Sequence, residues 1–330
     1  MKNTNALLSV RNLTKHFPIK GGVLHANEDI TLTIREGETL GLVGESGSGK
    51  STFGRTLLQL YRPTSGSVLY HTGHGDETVD LCLLRNAELR RLRRNLQMIF
   101  QDPYSSLDPR MTVGEIIGEG LYTHGLFRRG TSEWKGEILG VMERCGLQAH
   151  MFGRYPHEFS GGQRQRIGIA RALAVRPRFV VCDECVSALD VSIQAQILNL
   201  LTDLKESEGL TYLFISHDLS VVRYLSNRIG VMYLGRIMEL GESETLFEHP
   251  RHPYTVALLS AIPTTDPCGK RSAPILLGGN IPSPADPPVG CPFHTRCYMA
   301  KEVCAKVRPP LAEVEDGHWS ACHFSGVVEK

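Results

Sequence analysis

The residues with the clearest chemical potential form a glycine- and serine-rich segment with the pattern G-x-x-x-x-G-K-S. Its glycines let successive backbone N–H groups point at a phosphate, and the N-terminus of a following helix adds partial positive charge. Lys50 can reach the β- and γ-phosphate oxygens, and the Ser51 hydroxyl can bind Mg²⁺. The pattern predicts a nucleoside triphosphate site. The segment consists of Gly44, Glu45, Ser46, Gly47, Ser48, Gly49, Lys50, Ser51 and Thr52.

The neighbours of this segment are those that a phosphate-binding loop requires. The apolar run Thr39-Leu40-Gly41-Leu42-Val43 precedes it and reads as a strand, and residues 53–60 have helical potential. A glycine–serine turn that happens to end in lysine is the alternative, but it would not need a strand before it and a helix after it.

Two carboxylates follow a second apolar run, Phe179-Val180-Val181-Cys182. At the tip of a strand, Asp183 is suited to contact Mg²⁺ and Glu184 to polarise an attacking water. Helix capping is the alternative role for such acids. Gln101 lies between the phosphate-binding loop and these acids, and His217 follows a third run at residues 212–215.

A Ser-Gly-Gly turn before an alanine-containing helix predicts a second helix N-terminus that can bind an anion. Taken alone, this turn could equally be an ordinary helix start. It is formed by Ser160, Gly161, Gly162 and Gln163. A further short segment comes directly after the two carboxylates and contains Ser187, Ala188, Leu189 and Asp190.

Composition excludes several classes of function. The 330 residues carry a net charge of +1, so no global charge favours nucleic acid or anionic lipid. The basic segment 85–95 lacks interleaved aromatic residues and favours a solvated helix face. No apolar run approaches the roughly 18–20 residues that span a bilayer, and residues 1–15 do not resemble a signal peptide. We therefore expect a soluble, cytoplasmic chain whose membrane work goes through another subunit.

Strands alternate with helical patterns at residues 131–146 and 193–204, which indicates an α/β core with a parallel sheet. Composition changes near residue 255, and residues 263–292 are rich in proline and glycine. We expect a small C-terminal extension there, and a P-loop domain whose sheet closes without it.

Cysteines are concentrated in this extension, which holds Cys268, Cys291, Cys297, Cys304 and Cys322 of the nine in the chain. The last four have the spacing C-x5-C-x6-C-x17-C. Four thiolates suit either zinc or an iron–sulfur cluster, and the spacing does not decide between them. Thiols that merely pack in a small core are the alternative.

Taken in order, these motifs resemble those of ATP-binding-cassette (ABC) ATPases over about residues 8–255. The resemblance implies an α/β P-loop NTPase fold with a mostly parallel core sheet, an antiparallel β subdomain and a helical subdomain at about 105–175. The domains would be 1–255, the ATP-binding domain, and 256–330, the extension. Phe17 falls where the family stacks an aromatic residue on adenine.

The same resemblance implies how the residues share the work. Two subunits would dimerise head to tail, with the signature turn at Ser160 acting in trans on the nucleotide of its partner. Glu184 and His217 would be catalytic, and Asp183 would join Ser51 and Gln101 around Mg²⁺. Residues 187–190 would form the D-loop.

The tail narrows the resemblance to dipeptide/oligopeptide importers, through Arg251-His252-Pro253-Tyr254-Thr255, residues 279–284 and Gly290-Cys291-Pro292-Phe293. Residues 186–196 and Gln163 are similar to the F-type ATPase subunit. The implied partners are a second, homologous ATPase subunit, two membrane permease subunits and, indirectly, an extracytoplasmic solute-binding protein, with no nucleic acid. The implied location is the cytoplasmic face of the cell membrane.

The importer resemblance also implies that Cys291, Cys297, Cys304 and Cys322 hold a [4Fe–4S] cluster, with zinc as the alternative. Nickel, glutathione or another small solute is an alternative cargo. A non-transport ABC ATPase is a different class, and it would need inserted modules or a second cassette. A non-hydrolysing cassette is opposed by Glu184.

One residue departs from the family pattern. Cys185 stands directly after Glu184, where the family usually has proline. We expect a looser turn and a thiol beside the site, with hydrolysis retained.

Overall fold

The computed structural model describes residues 6–73, 77–102, 104–262 and 274–328, so Cys268, Pro103 and the start of the proline-rich segment at Pro263 lie outside the described residues. The strands are β1 (Ala6–Ile19), β2 (Gly22–Arg35), β3 (Thr39–Val43), β4 (Ser65–His71), β5 (Thr78–Asp80), β6 (Leu96–Ile99), β7 (Phe179–Asp183), β8 (Thr211–Ile215), β9 (Arg228–Tyr233), β10 (Arg236–Glu242), β11 (Ala312–Glu315) and β12 (His318–Ser320).

The α-helices are α1 (Lys50–Leu57), α2 (Asn86–Leu92), α3 (Val113–Thr123), α4 (Ser132–Arg144), α5 (Gly161–Leu173), α6 (Val191–Glu208), α7 (Leu219–Leu225), α8 (Ser243–Glu248), α9 (Pro253–Ser260) and α10 (Glu302–Lys306). The chain divides into two compact units, Met1–Cys82 with Ile215–Lys330, and Leu83–Phe214.

The first unit contains an antiparallel sheet in the order β2-β1-β4-β5. It also contains core-sheet strands in the order β11-β12-β10-β9-β3, in which β3 and β9 are parallel and the others pair antiparallel. Every residue of β3 is buried, as expected for a strand covered on both faces. The phosphate-binding loop follows this strand directly.

The extension continues this sheet, since β12 pairs with β10 through Glu239 opposite Ser320 and Leu240 opposite Trp319. The prediction that the sheet of the P-loop domain closes without the extension is therefore wrong. The carboxylate of Glu239 is fully buried and lies 2.7 Å from the His318 ring, and it also accepts from the backbone of His252 at 3.0 Å. A buried carboxylate needs such partners, so the two segments share a polar core.

The second unit contains core-sheet strands in the order β8-β7-β6, with β6 and β7 parallel, and the helices α2 to α6. Helices α3 and α4 pack closely because Gly118 leaves room for the Trp134 indole, whose Nε1–H donates to the Gly118 carbonyl at 3.1 Å. On α2 only Leu89 is buried, which confirms that the basic segment forms a solvated helix face.

Candidate functional site

The phosphate-binding loop follows β3 and ends at the first turn of α1, as the sequence predicts. Gly44 and Gly49 have φ values of 148° and 99°, and an added Cβ would lie 2.1 Å from the Met232 carbonyl and 2.2 Å from the Ala26 carbonyl, respectively. Only glycine fits both the conformation and the space. These two positions hold the loop against fixed backbone.

Lys50 is buried at the end of this loop and its ammonium donates to the carbonyls of Gly44 at 2.7 Å and Glu45 at 3.0 Å. No side chain caps α1, whose N-cap is Gly49 in the left-handed conformation. A helix start without a side-chain cap presents its backbone N–H groups to an external acceptor such as phosphate.

Phe17 and His217 lie in the same unit as this loop. Phe17 is half-buried on β1, with its ring edge-on to Tyr61 at 5.3 Å and the Lys15 ammonium 4.6 Å from its centroid. His217 is exposed just after β8, and the preceding Ser216 donates its N–H to the Leu42 carbonyl of β3 at 3.3 Å. The switch histidine thus follows a residue bonded to the strand that leads into the phosphate-binding loop.

Gln101, Asp183 and Glu184 lie in the second unit. Asp183 is fully buried at the end of β7, and Glu184 follows with a left-handed φ of 47° that non-glycine residues seldom adopt. The amide of Gln101 donates to the Glu184 carboxylate at 2.8 Å. The structure therefore joins two residues that the sequence separates by 83 positions.

Cys185 directly follows Glu184, but its thiol is not exposed at the surface. Its side chain is buried, 2% exposed, and is hydrogen-bonded to the thiol of Cys182. That hydrogen bond, with burial, raises the pKa of Cys182 well above its ordinary value. The thiol at this position packs into the core below the turn.

The signature turn forms the N-terminus of α5 in a reciprocal arrangement. The Ser160 hydroxyl accepts from the Gln163 N–H at 3.4 Å, while the Gln163 side chain accepts from the Ser160 N–H at 3.1 Å. Ser160 is exposed, and Gly161 and Gly162 are partly so. This capping box leaves the helix start at the surface.

The D-loop forms a tight turn on the carbonyl of Glu184. Ser187 donates to that carbonyl through both its N–H at 3.1 Å and its hydroxyl at 2.9 Å. Ser187, Ala188 and Asp190 are exposed and Leu189 is half-buried. The turn ties these surface residues to the backbone of Glu184.

The last four cysteines of the extension converge on one small cavity of about 10 Å³. Its lining includes Cys291, Cys297, Cys304 and Cys322. Burial raises the pKa of Cys291 to about 11. A backbone hydrogen bond lowers this pKa, and the neighbouring thiols raise it further. Burial likewise raises the pKa of Cys297 to about 11. A metal that binds thiolates here would displace their protons.

The spacing of the four sulfurs bears on which group they fit. Among the described residues, one set of three His, Cys, Asp or Glu side chains has ligand atoms that all lie within 4.8 Å of one another, and it consists of His16, His25 and Glu28. No three of the four cysteine sulfurs are therefore that close to one another. A tetrahedral zinc with bonds of about 2.3 Å would hold its sulfurs about 3.8 Å apart. The thiols are arranged more widely than a closed zinc site.

Two residues that contact the phosphate-binding loop were missed as site residues. Arg296 forms an ion pair with the Glu45 carboxylate at 2.6 Å, and the Tyr254 hydroxyl accepts from the Glu45 N–H at 2.9 Å. Tyr254 lies within the segment Arg251–Thr255, and Arg296 lies shortly after Gly290–Phe293, and the only signal of these two segments in the sequence is a resemblance. No local pattern marks a contact between residues this far apart in the chain.

In the described part of the chain, none of the helices combines the length and the apolar character that crossing a membrane requires.

Comparisons with known proteins show which family this chain resembles. Residues 27–187 match the family model described as "ABC transporter", and residues 238–304 match "Oligopeptide/dipeptide transporter, C-terminal region". The oligopeptide transport ATP-binding protein AppF of Bacillus subtilis is 49% identical over 331 residues, covering 98% of each chain.

Solved structures confirm the predicted fold class. The ATP-binding cassette MJ0796, described as dimeric in a post-hydrolysis state bound to ADP and Pi, superposes with a TM-score of 0.64 at 29% identity, covering 72% of this chain and 98% of that one. A second dimeric structure of MJ0796, described as a bacterial ABC transporter cassette, also has a TM-score of 0.64, at 30% identity and the same coverage.

Proposed function

Because this chain belongs to the ABC transporter family of ATP-binding proteins, we propose that it powers import of di- or oligopeptides across the cytoplasmic membrane by hydrolysing ATP. The observation that carries the cargo class is the match of residues 238–304 to the oligopeptide/dipeptide C-terminal region. AppF, a similar protein along its whole length, is an oligopeptide transport protein.

The phosphate-binding loop would hold the β- and γ-phosphates of ATP, and Phe17 would stack on the adenine. Lys50 lies at the start of α1 with its ammonium over the loop, where it can exchange carbonyl partners for phosphate oxygens. Ser51, Gln101 and Asp183 supply hydroxyl, amide and carboxylate oxygens, which are the ligands that Mg²⁺ prefers. Bound Mg²⁺ would neutralise charge on the phosphates.

Hydrolysis would depend on Glu184 as the residue that orients and deprotonates the attacking water. The hydrogen bond from Gln101 at 2.8 Å orients this carboxylate, which as a general base would take a proton from the water. His217, exposed after β8, would contact the γ-phosphate. The proton removed from water would pass to the Glu184 carboxylate as the water oxygen attacks the γ-phosphorus and ADP leaves.

The exposed Ser160–Gln163 turn supports action in trans, because its helix start can receive a γ-phosphate bound to another subunit. The dimeric state described for MJ0796 supports the same arrangement. We infer a heterodimer of this F-type chain with a second, homologous ATPase, docked on two permease subunits at the cytoplasmic face of the membrane. A solute-binding protein would deliver cargo, and nucleic acid would have no role.

The division into an ATP-binding domain at 1–255, with a helical subdomain at about 105–175, and an extension at 256–330 remains our proposal.

Purification from membranes, followed by mass spectrometry, tests the assembly. We expect two permease subunits, one homologous ATPase and a peptide-binding protein. Co-purification with a nickel- or glutathione-binding protein would instead favour that cargo, and purification without any permease would contradict a transport role.

The extension would hold a [4Fe–4S] cluster, with zinc as the alternative. Convergence of the four thiols on one cavity supports a bound group, and the importer resemblance favours a cluster over zinc. Protein prepared without oxygen should contain iron and sulfide and absorb broadly near 400 nm, as thiolate-bound iron does at about that wavelength.

Serine at Cys291 or Cys322 should remove the iron and sulfide and destabilise the extension, since metal binding to its thiolates would contribute to its folding free energy. The matched control is serine at Cys82, a half-buried thiol far from the cavity in sequence, which should keep the iron. Stoichiometric zinc without iron would support the alternative, and anaerobic protein without any metal would leave the thiols as packing residues.

A further inference from the structure

One loop of the extension reaches the phosphate-binding loop. The guanidinium of Arg296 donates to both oxygens of the Glu45 carboxylate, from Nη1 at 2.6 Å and from Nη2 at 3.0 Å. The side chain of Arg296 is only 7% exposed, and that of Glu45 is 24% exposed. A bidentate, largely desolvated pair of this kind is strong and fixes geometry.

The surroundings of this pair are ordered by the same part of the chain. The backbone N–H of Glu45 donates to the Tyr254 hydroxyl at 2.9 Å, and Arg296 also donates to the Tyr233 hydroxyl at 3.4 Å. Phe293 packs edge-on against Tyr233 at 5.3 Å and at a tilt against Tyr254 at 5.2 Å. The Tyr254 hydroxyl thus holds the backbone of Glu45, and Arg296 of the extension holds its side chain.

The charge of Glu45 makes this contact important for a ligand that is itself an anion. Glu45 places a carboxylate in a loop that would bind a polyphosphate, and like charges at such distances repel. Arg296 neutralises that carboxylate and draws it toward the extension. Lys50, the cation at the end of this loop, donates to the carbonyls of Gly44 and Glu45 and to the Ser48 hydroxyl.

The loop that carries Arg296 is itself anchored at both ends. It begins at Cys291, whose N–H donates to the Cys304 carbonyl at 2.8 Å, and it ends at Cys297, which lines the same cavity. Within it, the Arg296 N–H donates to the Phe293 carbonyl at 3.0 Å. The guanidinium is thus presented from a fixed turn and not from a free side chain on the surface.

We propose that Arg296 is a positioning residue of the ATP site, which neutralises Glu45 and holds the phosphate-binding loop in the form that accepts ATP. The proposal rests on the proposed function of ATP binding. It assigns to the extension a direct part in nucleotide affinity. Arg296 acts through Glu45 and does not touch the nucleotide.

The experiment measures affinity of the full chain for Mg²⁺ and the non-hydrolysable analogue AMP-PNP by calorimetry. Arg296→Ala should weaken binding by about tenfold, because a charge-assisted pair is lost and an uncompensated carboxylate remains. The double variant Glu45→Gln with Arg296→Ala should recover binding to within about threefold of the parent, since the repelling charge is gone. A residue with only a structural role would not be rescued in this way.

Two controls separate this proposal from the proposed function. Arg308→Ala removes an exposed arginine of the same extension and should leave affinity unchanged. Lys50→Ala should abolish binding. A parent chain that does not bind the analogue contradicts the ATP site itself, whereas a parent that binds while Arg296→Ala stays within about twofold of it overturns the role of Arg296.

If Arg296→Ala does not fold, as judged by its thermal melting, Arg296→Lys provides the test. Lysine keeps the charge but loses the two-point contact, so affinity should fall by about threefold and recover when Glu45→Gln is added. Unchanged affinity in Arg296→Lys, or a double variant as weak as the single one, would overturn the proposal.

Discussion

Two helices of this chain begin at turns of glycine and serine, and they satisfy their first backbone N–H groups in different ways. At α5, the Ser160 hydroxyl accepts from the Gln163 N–H, and the Gln163 side chain accepts from the Ser160 N–H. At α1, Gly49 supplies no side-chain cap. One of the first N–H groups of α5, that of Gln163, therefore has a side-chain partner within the turn, whereas the N-cap residue of α1 offers none.

The difference extends to what surrounds each turn. The start of α5 is exposed, and it needs no contact with distant segments to keep its shape. The loop before α1 depends on the backbone at Ala26 and Met232, on Tyr254 and on Arg296. The helix start without a side-chain cap is thus shaped by distant segments of the chain, whereas the start of α5 is shaped by its own capping box.

The largest expected effect is a loss of turnover from a substitution at Glu184, which lies in neither of the two helix starts. It shows how far turnover can fall while both helix starts stay intact. Glu184→Gln keeps size and hydrogen bonding but removes the carboxylate, so turnover in the assembled transporter should fall by about 10² to 10⁴-fold. Binding of ATP should persist, because both helix starts are intact. Phosphate release and equilibrium binding measure the two, and near-normal turnover would contradict the assignment of the catalytic base.

The second-largest effect is expected from a substitution that distorts the start of α1 and leaves the start of α5 unchanged. Gly49→Ala puts a Cβ 2.2 Å from a backbone carbonyl at a φ of 99°, and ATP affinity should fall by roughly a hundredfold. The matched variant is Gly161→Ala, whose Cβ would lie 3.7 Å from Leu189 in ordinary contact. It should leave this chain's own ATP binding unchanged. Equal losses in both variants would contradict the difference between the two helix starts.

A third variant sharpens the role of the exposed start. Ser160→Arg removes the capping hydroxyl and places a bulky side chain where the partner's nucleotide would approach. Turnover of the assembled transporter should fall by about tenfold or more, since an anion-binding donor set is lost. The chain's own affinity for ATP should not change. Loss of its own ATP binding would show that the turn acts in cis.

The local parts of this molecule could be predicted from the sequence. The apolar runs became β3, β7 and β8, which are buried throughout, and α4 and α6 formed where apolar residues recur at helical spacing. These features depend on neighbours within a few residues, for which periodicity and glycine content are direct physical signals.

The long-range parts could not be predicted in this way. Arg296 and Glu45 are 251 positions apart, and nothing in either neighbourhood indicates the other. Glu239 is a charged residue with no exposed surface, because β12, reached through a proline-rich segment, brings His318 to it. The cysteine spacing does not indicate that four thiols meet, since convergence depends on how the extension folds onto β10.

The smallest effect tests the packing that supports the loop before α1. His252 is fully buried at the start of α9, where its Nδ1 accepts from the N–H of Tyr254, the residue that contacts Glu45. Burial lowers the pKa of His252 from 6.5 to about 3. The unfolded chain therefore binds a proton between these values that the folded chain does not, and the stability present above pH 6.5 is lost as pH falls.

Titration of His252 should decrease the free energy of unfolding by about 1 kcal/mol for each pH unit below pH 6.5. His252→Asn can keep the acceptor for Tyr254 without titrating, so its stability should fall less steeply with acid. The control His150→Asn changes an exposed histidine and should preserve the parent's slope. Denaturant titrations from pH 7 to 5 measure all three, and parallel slopes for the parent and His252→Asn would contradict a buried neutral imidazole behind the ATP site.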